Sequence, residues 1–198
     1  MTPLLIATKN AHKTAEFQAL LAGRFQVVDL CSAPQPAPEE SGTTIVENAA
    51  IKALAASQHF EGWVLADDSG LCVDALGGAP GVLSARYAGP DASDADNRRR
   101  LLLELAAVTE VHQRRARFEC VLVLACAGMV HGIFSGTVEG RILEREQGEG
   151  GFGYDALFVP EGHAESFGVL PVAVKNSISH RARALAAFCR WLEFNECK

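Results

Sequence analysis

Two short apolar runs, Leu4–Ala7 and Trp63–Ala66, each pass without a spacer into a polar cluster, Thr8-Lys9-Asn10-Ala11-His12-Lys13 and Asp67-Asp68-Ser69-Gly70. Short apolar runs bounded in this way read as buried strands. A helical pattern follows the first, with Phe17, Leu20 and Leu21 on one face and Gly23 placed to end it. Phe25–Leu30 reads as a second strand, and Thr44-Ile45-Val46-Glu47 as a capping box opening a helix to about His59. Further on, Leu71–Leu76 is a short apolar segment, a helix starts near Ser93 with Leu101, Leu102 and Leu105 inward, and Ala156–Val159 is a strand. Ser179 to about Phe194 forms a final amphipathic helix. Phe118–Cys126 and Val130–Val138 flank Ala127-Gly128, which predicts a long hairpin. Strands alternating with helices near both ends specify an α/β fold, and the hairpin makes its sheet mixed. Residues 1–198 are expected to form a single domain with two lobes, since neither a repeat nor a linker divides the chain.

Composition narrows the function. The 198 residues are 48% hydrophobic, enough for a packed core, and a chain of this length buries roughly two thirds of its unfolded surface. Lysine and arginine total 18 and aspartate and glutamate 24, a net charge of −6, so no nucleic-acid polymer is expected as a partner. A phosphate ligand would have to be met by a local site. The longest apolar stretch, Cys120–Val130, has 11 residues, against the ~20 needed to span a bilayer, so no membrane association is expected. The N-terminus lacks the basic and apolar regions of a signal peptide. Cys31, Cys72, Cys120, Cys126, Cys189 and Cys197 show no metal-type spacing and read as buried or incidental thiols of a reducing compartment. A cytoplasmic protein is the expectation.

Four segments carry candidate chemistry. Thr8 to Lys13 lies at a strand-to-helix turn, where unpaired N–H groups and the helix dipole attract anions. It lacks the glycines of a P-loop, so an N-cap with solvated lysines is the alternative reading. In Asp67-Asp68-Ser69-Gly70, placed where a strand ends, adjacent carboxylates repel unless a cation or hydrogen-bond donors hold them. Consecutive strand residues face opposite sides, so the two aspartates are not expected to serve one ligand. Glu39-Glu40, on a proline-rich loop, is either a solvated pair or a source of a second metal carboxylate. Gly148 to Asp155 has four glycines in six residues, which lets backbone approach a ligand, and carries an aromatic that can lie against a flat base; a flexible loop with one anchoring aromatic is the alternative. Lys175 to Arg181 opens the last helix and could meet phosphate and carbonyl groups, or simply cap the helix. Arg98-Arg99-Arg100 and Arg114-Arg115-Arg117 read as solvent-facing, Glu47 as a capping residue, and His59, His112, His131 and His163 show no zinc spacing.

Taken as a set, these strings resemble the inosine triphosphate pyrophosphatase family, also called XTP/dITP diphosphatases. The matching residues are Ala7–Lys13, Glu39-Glu40-Ser41-Gly42, Glu47-Asn48-Ala49 with Lys52-Ala53, and Ala66–Leu71. They continue through Leu76–Gly81, Ser84–Tyr87, Gly150–Asp155 and Ser179-His180-Arg181. The family commonly has Pro after Tyr-Asp, where this chain has Ala156, and acidic residues before the lysine, where it has Val172-Ala173-Val174.

The resemblance implies an elongated mixed α/β protein with flanking helices and two lobes around a central nucleotide cleft, usually a homodimer. It implies a hydrolase acting on phosphoric anhydrides: Mg²⁺-dependent cleavage of ITP, dITP and XTP to the monophosphate and pyrophosphate. By position it makes Thr8, Lys9, Asn10, Ala11, His12 and Lys13 the triphosphate-binding turn. Asp68 becomes the general base and a metal ligand, and Glu40 a further Mg²⁺ ligand. Ser69, Phe152, Gly153, Tyr154, Asp155 and Lys175 become substrate contacts, and His180 and Arg181 the pair that reads the base. Two alternatives stand beside it: a Maf-type pyrophosphatase for pyrimidine or modified nucleotides, and a non-catalytic nucleotide sensor.

Overall fold

A computed structural model describes residues 2–34, 36 and 38–195. Strand β1 (Thr2–Ile6) leads through helix α1 (Ala11–Leu20) to β2 (Phe25–Asp29), which lies parallel to β1 with Thr2 opposite Phe25. Helix α2 (Ile45–Ser57) returns the chain to β3 (Trp63–Val73), parallel to β1 on its other side, with Ile6 opposite Leu65. Helix α3 (Asp94–Glu104) precedes β4 (Arg115–Cys126) and β5 (Met129–Ile142). Ala127 and Gly128 join these two strands with φ of 49° and 76°, the positive values that a two-residue hairpin turn demands. Strand β6 (Phe158–Pro160) runs antiparallel to the end of β5, and helices α4 (Val172–Ile178) and α5 (His180–Asn195) follow. The strand order β2-β1-β3-β4-β5-β6 gives the mixed sheet flanked by helices that the alternation and the hairpin predicted.

The chain divides into two compact units, one of Met1–Asp68, Cys120–Gly136 and Arg181–Lys198, the other of Ser69–Glu119 and Thr137–His180. In the first unit the two-residue period of the strands sorts side chains cleanly. Leu4, Ile6, Leu65, Cys120, Leu122 and Leu124 pack with Phe17 and Leu21 near α1 and Ala184, Leu185 and Phe188 of α5. Leu5, Ala7, Val64, Ala66, Val123 and Ala125 face the other way, onto Ala49, Ala53 and Ala56 of α2. The second unit has its own core, where Leu71, Val73, Leu101, Leu105, Phe118, Tyr154, Phe158 and Phe167 meet.

The local signals for helix starts hold. Thr44 and Glu47 make the reciprocal capping box at α2, so Glu47 is a capping residue, and Ser93 with Asp96 makes a second box at α3. Four readings change. Asp67 and Asp68 do not end a strand; β3 continues through them to Val73, because each carboxylate finds a cation on its own face and need not leave the sheet. Lys175 lies in a separate helix, α4, which starts after Pro171 and whose valines disguise it as extended chain. Arg98 donates to the Gly153 carbonyl at 2.8 Å and pairs with Glu146 at 3.0 Å, so it is not merely solvated. Arg114 is buried and donates to the carbonyls of Leu105, Val108, Ile142 and Leu143. Cys72 and Cys120 are buried and Cys31 is exposed, while Cys197 lies outside the described residues. Among the described residues no helix is long and apolar enough to cross a membrane.

Candidate active site

Adjacent positions on β3 give two aspartates with opposite surroundings. Asp67 shares the face of Leu65 and looks toward α1 and α5; Asp68 shares the face of Ala66 and looks toward α2. The alternation therefore separates the two carboxylates onto different partners, as the strand geometry requires.

On the α2 side, Lys52 donates to Asp68 Oδ1 at 2.7 Å and lies 3.5 Å from Glu40 Oε1. Burial raises the Asp68 pKa above the ordinary carboxylate value, and the Lys52 charge opposes that rise without cancelling it. Lys52 itself is raised: desolvation pulls it down, but the attraction of Asp68 and then Glu40 outweighs it. The Glu40 loop is pinned to α2 at two points. Asn48 Oδ1 accepts from the Gly42 amide at 2.9 Å, and Glu47 Oε2 accepts from the Thr43 and Thr44 amides at 2.7 and 3.1 Å. Two carboxylates thus already converge on one cation, the Lys52 ammonium. Among the described residues no cluster of three or more His, Cys, Asp or Glu side chains forms a ready metal cage. Two hard oxygen donors without a cage are the set that suits Mg²⁺, which takes one or two carboxylates and completes its shell with water and phosphate.

On the other face, Asp67 is fully buried and ion-paired to Lys13 of α1. Its Oδ2 accepts from Arg181 Nε at 3.0 Å and from the Cys120 thiol at 3.2 Å. Arg181 also pairs with Glu16 and lies 5.8 Å from the Phe17 ring centre. Burial by itself would raise the Asp67 pKa; the charges of Arg181 and Lys13 overcome it and hold the group well below the usual range. The two neighbouring carboxylates are thus shifted in opposite directions, Asp67 down by its cations and Asp68 up by burial.

The Thr8–Lys13 turn joins β1 to α1. Asn10 caps the helix, its Oδ1 accepting from the His12 and Lys13 amides at 2.9 and 3.2 Å, and Thr8 Oγ1 accepts from the Asn10 amide at 3.1 Å. Lys9, Asn10, Ala11 and His12 are exposed, while Thr8 and Lys13 are half-buried.

The second unit holds the other expected residues. Lys175 is buried, donates to Asp155 Oδ2 at 2.6 Å and sits 4.6 Å from the Phe152 ring centre. The same Oδ2 accepts from the Phe152 amide at 2.8 Å. Gly151, at φ +72°, leaves room for this carboxylate: a Cβ there would lie 2.1 Å from it. The Gly153 peptide is bracketed by α3, its amide donating to Asp94 at 2.7 Å and its carbonyl accepting from Arg98. Tyr154 is a core residue whose hydroxyl donates to the Ser84 carbonyl at 2.9 Å. His180 is buried and stacks on Phe118, ring centres 4.8 Å apart, and Ser69 is half-buried on β3.

Geometry therefore joins Lys13 with Arg181 through Asp67, Glu40 with Asp68 through Lys52, and Phe152 with Asp155 and Lys175. Sequence reasoning missed Lys52, Glu16 and Asp67 as members of these arrays. Lys52 had a signal: it falls at helical spacing from Asn48 and beside Ala49, Ala53 and Ala56, on the face that α2 buries. Glu16 had none, since its partner comes from the far end of the chain.

In this mixed α/β chain the interior strand β3 carries two aspartates, each met by a lysine from a flanking helix. The model described as the Ham1 family matches residues 4–191, and the chain belongs to that family. The dITP/XTP pyrophosphatase of Geobacillus kaustophilus is 49% identical over 187 residues, 93% of this chain and 91% of that protein. That of Shouchella clausii is 45% identical over 194 residues and 98% of each chain. The solved HAM1 protein of Coxiella burnetii superposes with a TM-score of 0.86 at 38% identity, covering 98% of this chain and 99% of its own.

Proposed function

We propose that this chain is a nucleoside triphosphate pyrophosphatase that hydrolyses the non-standard purine nucleotides ITP, dITP and XTP to the monophosphate and pyrophosphate. The observation that carries the reading is the division of labour along β3. One aspartate is held between Lys13 and Arg181, and its neighbour, raised in pKa, stands with Glu40 around the Lys52 ammonium. The substrate class comes from the relatives, which bear the name dITP/XTP pyrophosphatase at 49% and 45% identity over nearly their whole length.

Cleavage between the α and β phosphates needs an attacking water and neutralisation of the leaving pyrophosphate. Asp68 accepts the proton of that water, and its raised pKa makes it a better base than an ordinary carboxylate. Lys13 and the N-terminal end of α1 meet the charge that develops on the pyrophosphate, with Thr8 to His12 lining the same turn. Lys52 stands between Asp68 and Glu40, 2.7 and 3.5 Å from their oxygens, and offsets their negative charge. Mg²⁺, held by Glu40 and Asp68 when bound, supplies charge neutralisation at the phosphate oxygens. Ser69, Phe152, Gly153, Tyr154, Asp155 and Lys175 contact the nucleotide, and His180 and Arg181 donate to the 6-oxo group of hypoxanthine or xanthine. Adenine offers a donor at that position, which leaves buried donors unmatched at a cost of ~1–3 kcal/mol per group.

The reading extends to one pyrophosphatase domain over residues 1–198, supported by matches that run nearly the full length of the chain, and to a cytoplasmic homodimer. The test is pyrophosphate release from ITP, dITP, XTP, GTP, ATP, dTTP and UTP, with and without Mg²⁺, for the wild type and Asp68→Asn. The first three substrates should lead, Mg²⁺ should be required, and Asp68→Asn should lose roughly 10²–10⁴-fold in turnover. A preference for dTTP or UTP, tight ITP binding without turnover, or an unimpaired Asp68→Asn would each overturn it.

A further inference from the structure

We propose that Asp67 is a positioning residue: one buried carboxylate fixes Lys13 and Arg181 together, so that the phosphate contact and the base contact are energetically coupled. The inference rests on the roles given above to those two cations. Asp67 sits on β3, an interior strand paired with β1 and β4, and its side chain is fully enclosed. Its Oδ1 takes the Lys13 ammonium and lies 3.5 Å from Nη2 of Arg181; its Oδ2 takes Arg181 Nε at 3.0 Å. The Cys120 thiol donates to the same Oδ2 at 3.2 Å. Arg181 then reaches back to Glu16, three residues beyond Lys13 on the same face of α1. Two cations and two anions close a neutral array in which α1 and α5 are tied through β3.

Such an array transmits. The two cations divide one buried carboxylate, and in its low-dielectric surroundings a change in the hold of either alters what is left for the other. A phosphate that engages Lys13 therefore changes the grip on Arg181, and the coupling is reciprocal. Asp68 makes its hydrogen bond on the opposite face, to Lys52 of α2. A purely structural Asp67, present only to neutralise Arg181, would hold that guanidinium in the same way whether or not Lys13 carried a charge.

The experiment uses two half-ligands, inosine for the base contact and tripolyphosphate for the phosphate contact, titrated into wild type and Asp67→Asn. Both affinities should fall by roughly 5-fold or more with the circular dichroism spectrum unchanged. Loss of one alone, or of neither, overturns the inference, as does a wild type that fails to bind either half-ligand. Asp67→Asn can also fail to fold, because it leaves the buried Arg181 and the half-buried Lys13 short of an anion. Lys13→Met then decides: inosine carries no phosphate, so an inosine affinity about 5-fold weaker shows coupling through Asp67, and an unchanged one overturns it. None of these titrations requires turnover. A wild type that binds both halves and shows the coupling, yet releases no pyrophosphate, would sink the hydrolytic reading and leave this one standing.

Discussion

Burial pushes the Asp68 carboxylate up and the Lys52 ammonium 2.7 Å away pushes it down, with burial the larger effect. If Asp68 must be ionised to accept a proton, activity is lost as pH falls through a pKa above the ordinary aspartate value of about 3.9. Removing the opposing charge with Lys52→Met moves that pKa further up. The acid limb of the kcat/KM profile should therefore shift to higher pH in the variant, with the alkaline side unmoved. An acid limb that stays in place or moves down would show that the titrating group is not Asp68. Asp67 behaves oppositely in stability: with its folded pKa depressed, it stabilises the fold above the unfolded value, and that contribution disappears as pH falls through the folded one. Of these two neighbours, the sequence showed that they face apart. It could not show which one would be locked, because Lys13, Arg181 and Lys52 arrive from three different helices.

The elements carry the site through their ends. Thr44 was legible as a cap because capping is local chemistry within three residues, and it makes the expected bonds; Asn10, read as a phosphate contact, caps α1 as well. The Glu40 loop depends on one further local fact, the lack of a side chain at Gly42. A Cβ there would lie 2.6 Å from Asn48 Oδ1 and 2.9 Å from the Asn48 amide, which is helix backbone and cannot give way. Gly42→Ala should therefore lift the loop and Glu40 with it while α2 remains capped by Thr44. The expected outcome is a concentration of Mg²⁺ for half-maximal activity raised by roughly 10-fold, with near-wild-type turnover at saturation. Unchanged Mg²⁺ dependence would remove Glu40 from the cation site. The short helix α4 was not legible, since Val172, Val174 and Ile178 favour extended chain in isolation.

For the molecule as a whole, β3, β4, β5 and α5 each contribute residues to both compact units, so neither unit is a continuous stretch of chain. Arg114 staples the second unit, joining the end of α3 and the loop after it to the end of β5 through bonds of 2.8 to 3.0 Å to four carbonyls. Arg114→Met leaves those acceptors buried without their donor, a loss of about 3–5 kcal/mol. In a chain of this size that lowers Tm by roughly 6–20 °C. Calorimetry should show one transition displaced as a whole. A low-temperature transition split from an undisturbed one would mean that the units unfold independently.

By itself the sequence determined the α/β class, the mixed sheet, the caps, the opposed facing of Asp67 and Asp68, and the resemblance that points to nucleotide hydrolysis. All of these follow from periodicity, from bonds made within a few residues, or from ordered strings. Only the tertiary structure decided that β3 runs on through its aspartates, that Arg98 and Arg114 are bound rather than solvated, and that Lys52, Glu16 and Asp67 complete the arrays. The reason is common to them. A buried charge is tolerable only beside its counter-charge, and which residue supplies that counter-charge depends on helices that the fold, not the chain order, brings together.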